Sequence, residues 1–138
     1  MKSYKFKNLR IGQSSYFKIK IKKELIKKFV SISKDYSKIH ISKKFANQYG
    51  FRDKIGHGMI LGAFYSRLIG IYLPGKFSLL ISMNIKFNKP IYLNDVIFIK
   101  GKIIHLNKSY RVVTIKIIAT NQLKNKVSEA KALVKLNA

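Results

Sequence analysis

Cysteine and tryptophan are both missing from this 138-residue chain, and acid is scarce: 5 Asp and Glu stand against 29 Lys and Arg, for a net charge of +24. The missing cysteine rules out disulfides, thiolate zinc sites and a cysteine nucleophile. Only 2 Pro are present and no low-complexity tract occurs, so the chain does not have the composition of a linker or a disordered segment. Long apolar runs are absent too. The longest, Met59 to Leu73, is broken by Ser66 and Arg67 and falls short of the roughly 20 residues that a membrane span requires. Met1 to Phe17 alternates Lys with aromatic residues and lacks the continuous apolar stretch of a secretory signal. A reducing cytoplasm is the expected setting.

What is present fits one domain over residues 1–138, with hydrophobic residues making up 47% of the chain and enough length for a single core. A charge of this size attracts polyanions regardless of shape. Only four of the basic residues are Arg (Arg10, Arg52, Arg67, Arg111), and the lysines are scattered from Lys2 to Lys135. Bidentate phosphate and base readout favours Arg, so nucleic acid is not the expected partner. The charge should instead favour anionic ligands such as a phosphorylated carrier or an acidic carrier protein.

Periodicity divides the chain into two regimes. Ser15 to Ile21 alternates Tyr16, Lys18 and Lys20 against Phe17, Ile19 and Ile21, as a strand with one buried face does. Lys22 to Ser33 places Leu25, Ile26, Phe29 and Val30 on one helical stripe, ending near Lys34. Ser42 is placed to cap a short helix over Lys43 to Gln48, with Gly50 as its left-handed stop. Gly58 to Tyr72 is apolar nearly all round, which predicts a helix buried on most faces. Beyond Pro74-Gly75, β-rich segments run over Phe77 to Phe87, Val96 to Leu106, Tyr110 to Thr120 and Lys126 to Leu136, with turn signals between them. A strand, a helical insertion and an antiparallel run predict an α+β fold whose sheet wraps the apolar helix.

Two of the three histidines and one of the few acids fall close together, in Asp35-Tyr36-Ser37-Lys38-Ile39-His40 and then His57-Gly58-Met59-Ile60. An acid, imidazoles and a glycine opening a helix are parts suited to proton transfer beside an oxyanion-binding amide. Taken alone, an Asp and a His five positions apart also describe an ordinary turn.

The surrounding residues resemble a known family. Phe29 to His40, followed by Ala46, keeps the spacing of the hydratase motif of the MaoC-like acyl dehydratases, which include the (R)-specific enoyl-CoA hydratases. Ile55-Gly56-His57-Gly58-Met59-Ile60, Leu73-Pro74-Gly75, and Phe87-Asn88-Lys89-Pro90-Ile91 with Asn94-Asp95 match further segments of that family, so the resemblance runs from about Tyr16 to Leu136. It implies a hotdog fold, usually dimeric with a continuous intersubunit sheet. The chain departs from the family pattern in carrying Lys34 for the usual Gly, Ser37 for the usual Asn and Lys38 for the usual Pro. Asn94 for Gly is milder, because Asn tolerates the left-handed conformation of a tight turn.

Adding water across an enoyl thioester needs a group to deprotonate the water, a proton source for the α-carbon, and donors to the oxygen that becomes enolate-like. On this reading Asp35 and His40 grip one water as an acid/base pair, and the Gly58 amide at the positive end of the apolar helix receives the thioester oxygen. Ser37 supports the loop, His57 orders it or caps the helix, and Ser66 takes the position resembling a family serine near the catalytic water. Arg52 and Lys54 are candidates for the carrier's phosphates, Gly62 and Gly70 for close helix-to-sheet packing, and His105 is placed away from the site.

His40 and His57 lack a third ligand at metal-site spacing, and no dinucleotide fingerprint or Gly-x-Ser-x-Gly elbow occurs. No metal and no cofactor is expected. The leading expectation is a hydro-lyase, a homodimer or higher homo-oligomer, interconverting trans-2-enoyl and (R)-3-hydroxyacyl thioesters of CoA or acyl carrier protein. The rivals are a non-catalytic acyl-thioester-binding hotdog module and a polyanion-binding basic protein.

Overall fold

Alternation in the sequence becomes alternation in space. In the computed structural model, which describes residues 1–138, β1 (Ser14–Lys20) turns Phe17 and Ile19 inward and Tyr16, Lys18 and Lys20 outward. The chain then leaves the sheet for α1 (Lys23–Ser33), α2 (Lys38–Ile41), α3 (Lys43–Gln48) and α4 (Met59–Arg67). α4 continues as a wider π turn over Leu68–Tyr72. β2 (Ser78–Phe87), β3 (Val96–Asn107), β4 (Val112–Thr120) and β5 (Lys126–Leu136) complete a five-stranded antiparallel sheet in the order β1-β3-β4-β5-β2. This is an α+β hotdog architecture, with the sheet curled round one helix.

The core lies between the sheet and α4. Ile97, Ile99 and Ile103 of β3 and Val113, Ile115 and Ile117 of β4 pack with Ile60, Leu61, Tyr65 and Leu68 of the helical segment, all at most 1% exposed. Fully burying an aliphatic side chain of this size contributes roughly 1.5–3 kcal/mol, so this contact dominates the stability of the fold.

Helix and sheet come close at a point where the sheet has no side chain. A Cβ at Gly101 of β3 would run into Leu68, whereas nothing approaches the Cβ position of Gly70. Gly62 does stand against Ile85 of β2, at 3.4 Å. The packing role expected for Gly62 and Gly70 therefore belongs to Gly62 and Gly101.

The apolar helix is also less enclosed than its sequence predicts. Met59, Ala63, Ser66 and Ile71 are exposed, so one stripe of α4 and its π turn faces outward. β2, at the sheet edge, likewise exposes Leu79, Leu80 and Ile81.

Candidate active site

α1 ends because Lys34 takes the left-handed conformation, with φ 56° and ψ 22°, and its amide closes the helix on the Val30 carbonyl. A Gly is the easy occupant of such a position, since a Cβ there costs about 1–2 kcal/mol. The Gly that the resemblance leads one to expect here would suit this conformation, and this chain adopts it with a lysine. Lys38 opens α2, and the first helical residue is where proline is pre-organised. Lys34 and Lys38 thus depart from the family pattern at positions of backbone shape.

The turn between α1 and α2 brings Asp35 to the start of α4. The Asp35 carboxylate accepts the Ser37 main-chain N–H at 3.0 Å and, at close range, the Ser37 hydroxyl. These bonds, chiefly the hydroxyl, and then the nearby His57 and His40 hold Asp35 below the usual carboxylate range, against a smaller upward push from desolvation. Ser37 therefore grips the acid twice despite being shorter than Asn.

His40 lies on α2 rather than in a loop. Its Nδ1 is 2.9 Å from the Ile55 carbonyl. A carbonyl can only accept, so in the neutral ring Nδ1 carries the hydrogen and Nε2 presents its lone pair. That Nε2 stands 4.0 Å from Asp35 Oδ2, too far for a direct bond and close enough for both atoms to hold one water.

His57 is 2% exposed and stacks on His40 with ring centroids 3.8 Å apart, while Phe29 covers it at 5.0 Å. Its Nε2 donates to the Asp35 main-chain carbonyl at 3.1 Å. His57 thereby ties the acid's own backbone to the entry of α4.

Asp35, His40 and His57 offer ligand atoms within 4.8 Å of one another. The residue that joins the two histidines is Asp35, the acid that the sequence reading assigns to the acid/base pair rather than to a metal. The donor set nonetheless fits a metal poorly. His57 Nε2 already donates to a carbonyl, and its Nδ1 is buried without a partner.

These groups open into a cleft of 680 Å³, lined also by Gly58, Leu61, Phe87 and Pro90. That size is in the range of small-molecule sites. Gly58 caps the start of α4; the Ile60 and Leu61 amides turn back to the His57 and Gly58 carbonyls, whereas the Gly58 and Met59 amides make no main-chain bond. A Cβ on Gly58 would fall 2.8 Å from the Phe87 ring, so the missing side chain lets the cleft wall close on the helix end. Phe87 belongs to the site, and only its place in the strand-entry motif signalled it.

Other expected residues lie elsewhere. Ser66 sits on the exposed stripe of α4 and does not line this cleft. Arg52 is exposed, with its guanidinium 4.0 Å above the Tyr92 ring. Lys54 borders a neighbouring groove. His105 is exposed on β3, beside a bulge.

The site thus joins a hotdog sheet, an acid and an imidazole facing each other across one cleft, and the start of the central helix. The family model described as "MaoC like domain" matches residues 6–127, and the chain belongs to that family. It is 26% identical over 108 residues to an (R)-specific enoyl-CoA hydratase of Aeromonas caviae, covering 78% of this chain and 81% of the relative. It is 29% identical over 101 residues to a 3-hydroxybutyryl-CoA dehydratase of Methylorubrum extorquens, covering 73% and 64%. The solved structure of an (R)-hydratase from A. caviae involved in PHA biosynthesis superposes with a TM-score of 0.86 at 26% identity, covering 93% of this chain and 97% of that one.

Proposed function

We propose that this protein reversibly hydrates trans-2-enoyl thioesters to (R)-3-hydroxyacyl thioesters, with Asp35 and His40 handling the water. The coarser statement is firm: the chain is an enzyme of the hydratase and dehydratase kind, as its relatives are. One observation carries the finer reading. Asp35 Oδ2 and His40 Nε2 face each other across 4.0 Å in the same cleft as the amide end of α4.

A water held by both groups would give up one proton to the pair as its oxygen bonds to the β-carbon. The electrons of the double bond move toward the thioester oxygen, which takes hydrogen bonds from the helix start around Gly58. The pair returns one proton to the α-carbon, so the elements of water are added and neither side chain is left changed. Asp35, held ionised, is available to accept a hydrogen bond from that water.

The same reading places the enzyme in the cytoplasm as a homodimer. No helix is long and apolar enough to cross a membrane. The unpaired edge of β2 and the outward stripe of α4 are surfaces that a second copy would cover.

The test is ultraviolet absorbance of a purified trans-2-enoyl-CoA. Loss of conjugation with enzyme, and product accepted by an (R)-specific 3-hydroxyacyl dehydrogenase, is the expected result. Binding of the thioester with its conjugation intact would favour the non-catalytic module instead.

A further inference from the structure

A second groove runs behind His40, and nothing in the acid–base chemistry uses it. Its volume is 570 Å³. It shares only His40, Ile55 and Gly56 with the catalytic cleft. One wall is a single face of α1, where Lys23, Ile26, Lys27, Val30 and Lys34 follow one another at helical spacing. The opposite wall carries Ile41, Leu93 and Lys54. Ile41 is 53% and Leu93 43% exposed, so apolar surface lies open to water between four lysines.

None of those lysines is neutralised. The chain's one lysine–carboxylate pair is Lys126 with Glu129, on β5. No acid lines the groove, and Asp53, beside Lys54 in sequence, is turned to the Lys54 main-chain nitrogen at 2.7 Å. The arrangement is also linear. Lys23 opens α1 and Lys34 is its C-cap, eleven residues on, about 16 Å along a helix axis, with apolar side chains between them. A phosphate would need donors that converge, and the groove contains no Arg.

We infer that this groove docks an acidic amphipathic helix of an acyl carrier protein, which presents its thioester to the adjoining cleft. Carboxylates on such a helix would meet the lysines of α1 and Lys54, and its apolar residues would cover Ile26, Val30, Ile41 and Leu93. The inference rests on the thioester reading above and names the carrier.

The experiment measures binding and turnover separately, using an acyl carrier protein charged with a trans-2-hexenoyl group and the matching CoA thioester. The proteins are the full chain, the double variant Lys23→Glu/Lys27→Glu, and Lys102→Glu/Lys116→Glu as an equal charge change on the outer face of the sheet, where those two lysines sit opposite each other. The carrier protein should bind the unaltered chain and lose at least ~10-fold in affinity with the α1 variant, while the sheet variant changes it by less than ~2-fold. Turnover of the carrier thioester should fall in kcat/KM with the α1 variant, and turnover of the CoA thioester should not.

Equal weakening by both variants would reduce the effect to net charge and overturn the inference, as would no binding of the carrier protein. Loss confined to the CoA thioester would assign the groove to the nucleotide. Carrier binding that depends on α1, without turnover of either thioester, would uphold the groove and sink the hydration chemistry instead.

Discussion

His40 and His57 lie ring on ring, 3.8 Å between centroids, and each has one nitrogen fixed by a main-chain carbonyl: His40 by Ile55 at 2.9 Å, His57 by Asp35 at 3.1 Å. The two imidazoles are oriented before any substrate arrives, and only the outer one, His40, turns its remaining nitrogen to the Asp35 carboxylate across the cleft. Pre-organisation of this kind is what lets a proton-transfer pair act without rearrangement at the moment of reaction.

Removing either member of the facing pair should therefore disable chemistry and spare the fold. Asp35→Asn and His40→Ala are expected to lower turnover of an enoyl thioester by at least ~10²-fold, with circular dichroism unchanged. Asp35 is partly exposed, its side chain 41% accessible, so its loss opens no cavity. Full activity in both variants would remove the assignment.

The pH profile should report the Ser37 grip. Asp35 is held below its ordinary value chiefly by the Ser37 hydroxyl, so the acid limb of kcat/KM should lie below the usual carboxylate range. Ser37→Ala removes that donor, and the limb should move up in pH. For stability the sign is the same. A carboxyl depressed in the folded state contributes stability above its unfolded value, and that contribution fades as pH falls through the folded one. An acid limb unmoved by Ser37→Ala would show that another group controls it.

Gly58→Ala probes the helix end. The new methyl would fall 2.8 Å from the half-exposed Phe87 ring, which can swing outward, so the fold should lose only about 1 kcal/mol. The cleft wall moves with the ring, and kcat/KM should drop at least ~10-fold, since displacements of about an ångström are costly to reaction geometry. Steady-state kinetics beside a melting curve separates the two effects.

Lys34→Gly should act in the opposite direction on stability. Relief of the left-handed lysine is expected to stabilise the fold by about 1 kcal/mol, raising Tm by roughly 3 °C for a domain of this size. An unchanged or lowered Tm would mean that the lysine side chain contributes more than its backbone costs.

Much of this architecture is legible in the sequence because it depends on local periodicity. β1, α1, α3 with its Ser42 cap, and the four later strands fall within about two residues of where alternation and turn residues place them. Gly50 and Asn94 do take the left-handed conformation. What is not legible depends on distant backbone. The carbonyls of Ile55 and Asp35, which fix the histidines, have no side-chain signature. The seat of Phe87 on Gly58 joins residues 29 positions apart. Hydropathy shows that α4 is apolar all round without saying which stripe the sheet leaves open, and so Ser66 reads as part of a cleft from which it is turned away.

Strand order sets what the cleft wall depends on. Asp35, His40 and Gly58 are all made in the first half of the chain, yet Phe87 ends β2, whose only partner in the sheet is β5. Residues 126–136 therefore pin that wall, and a chain in which β5 is displaced would keep Asp35, His40 and Gly58 without the wall that Phe87 builds against them. Turnover is thereby expected to be a sensitive gauge of whether β5 is in place.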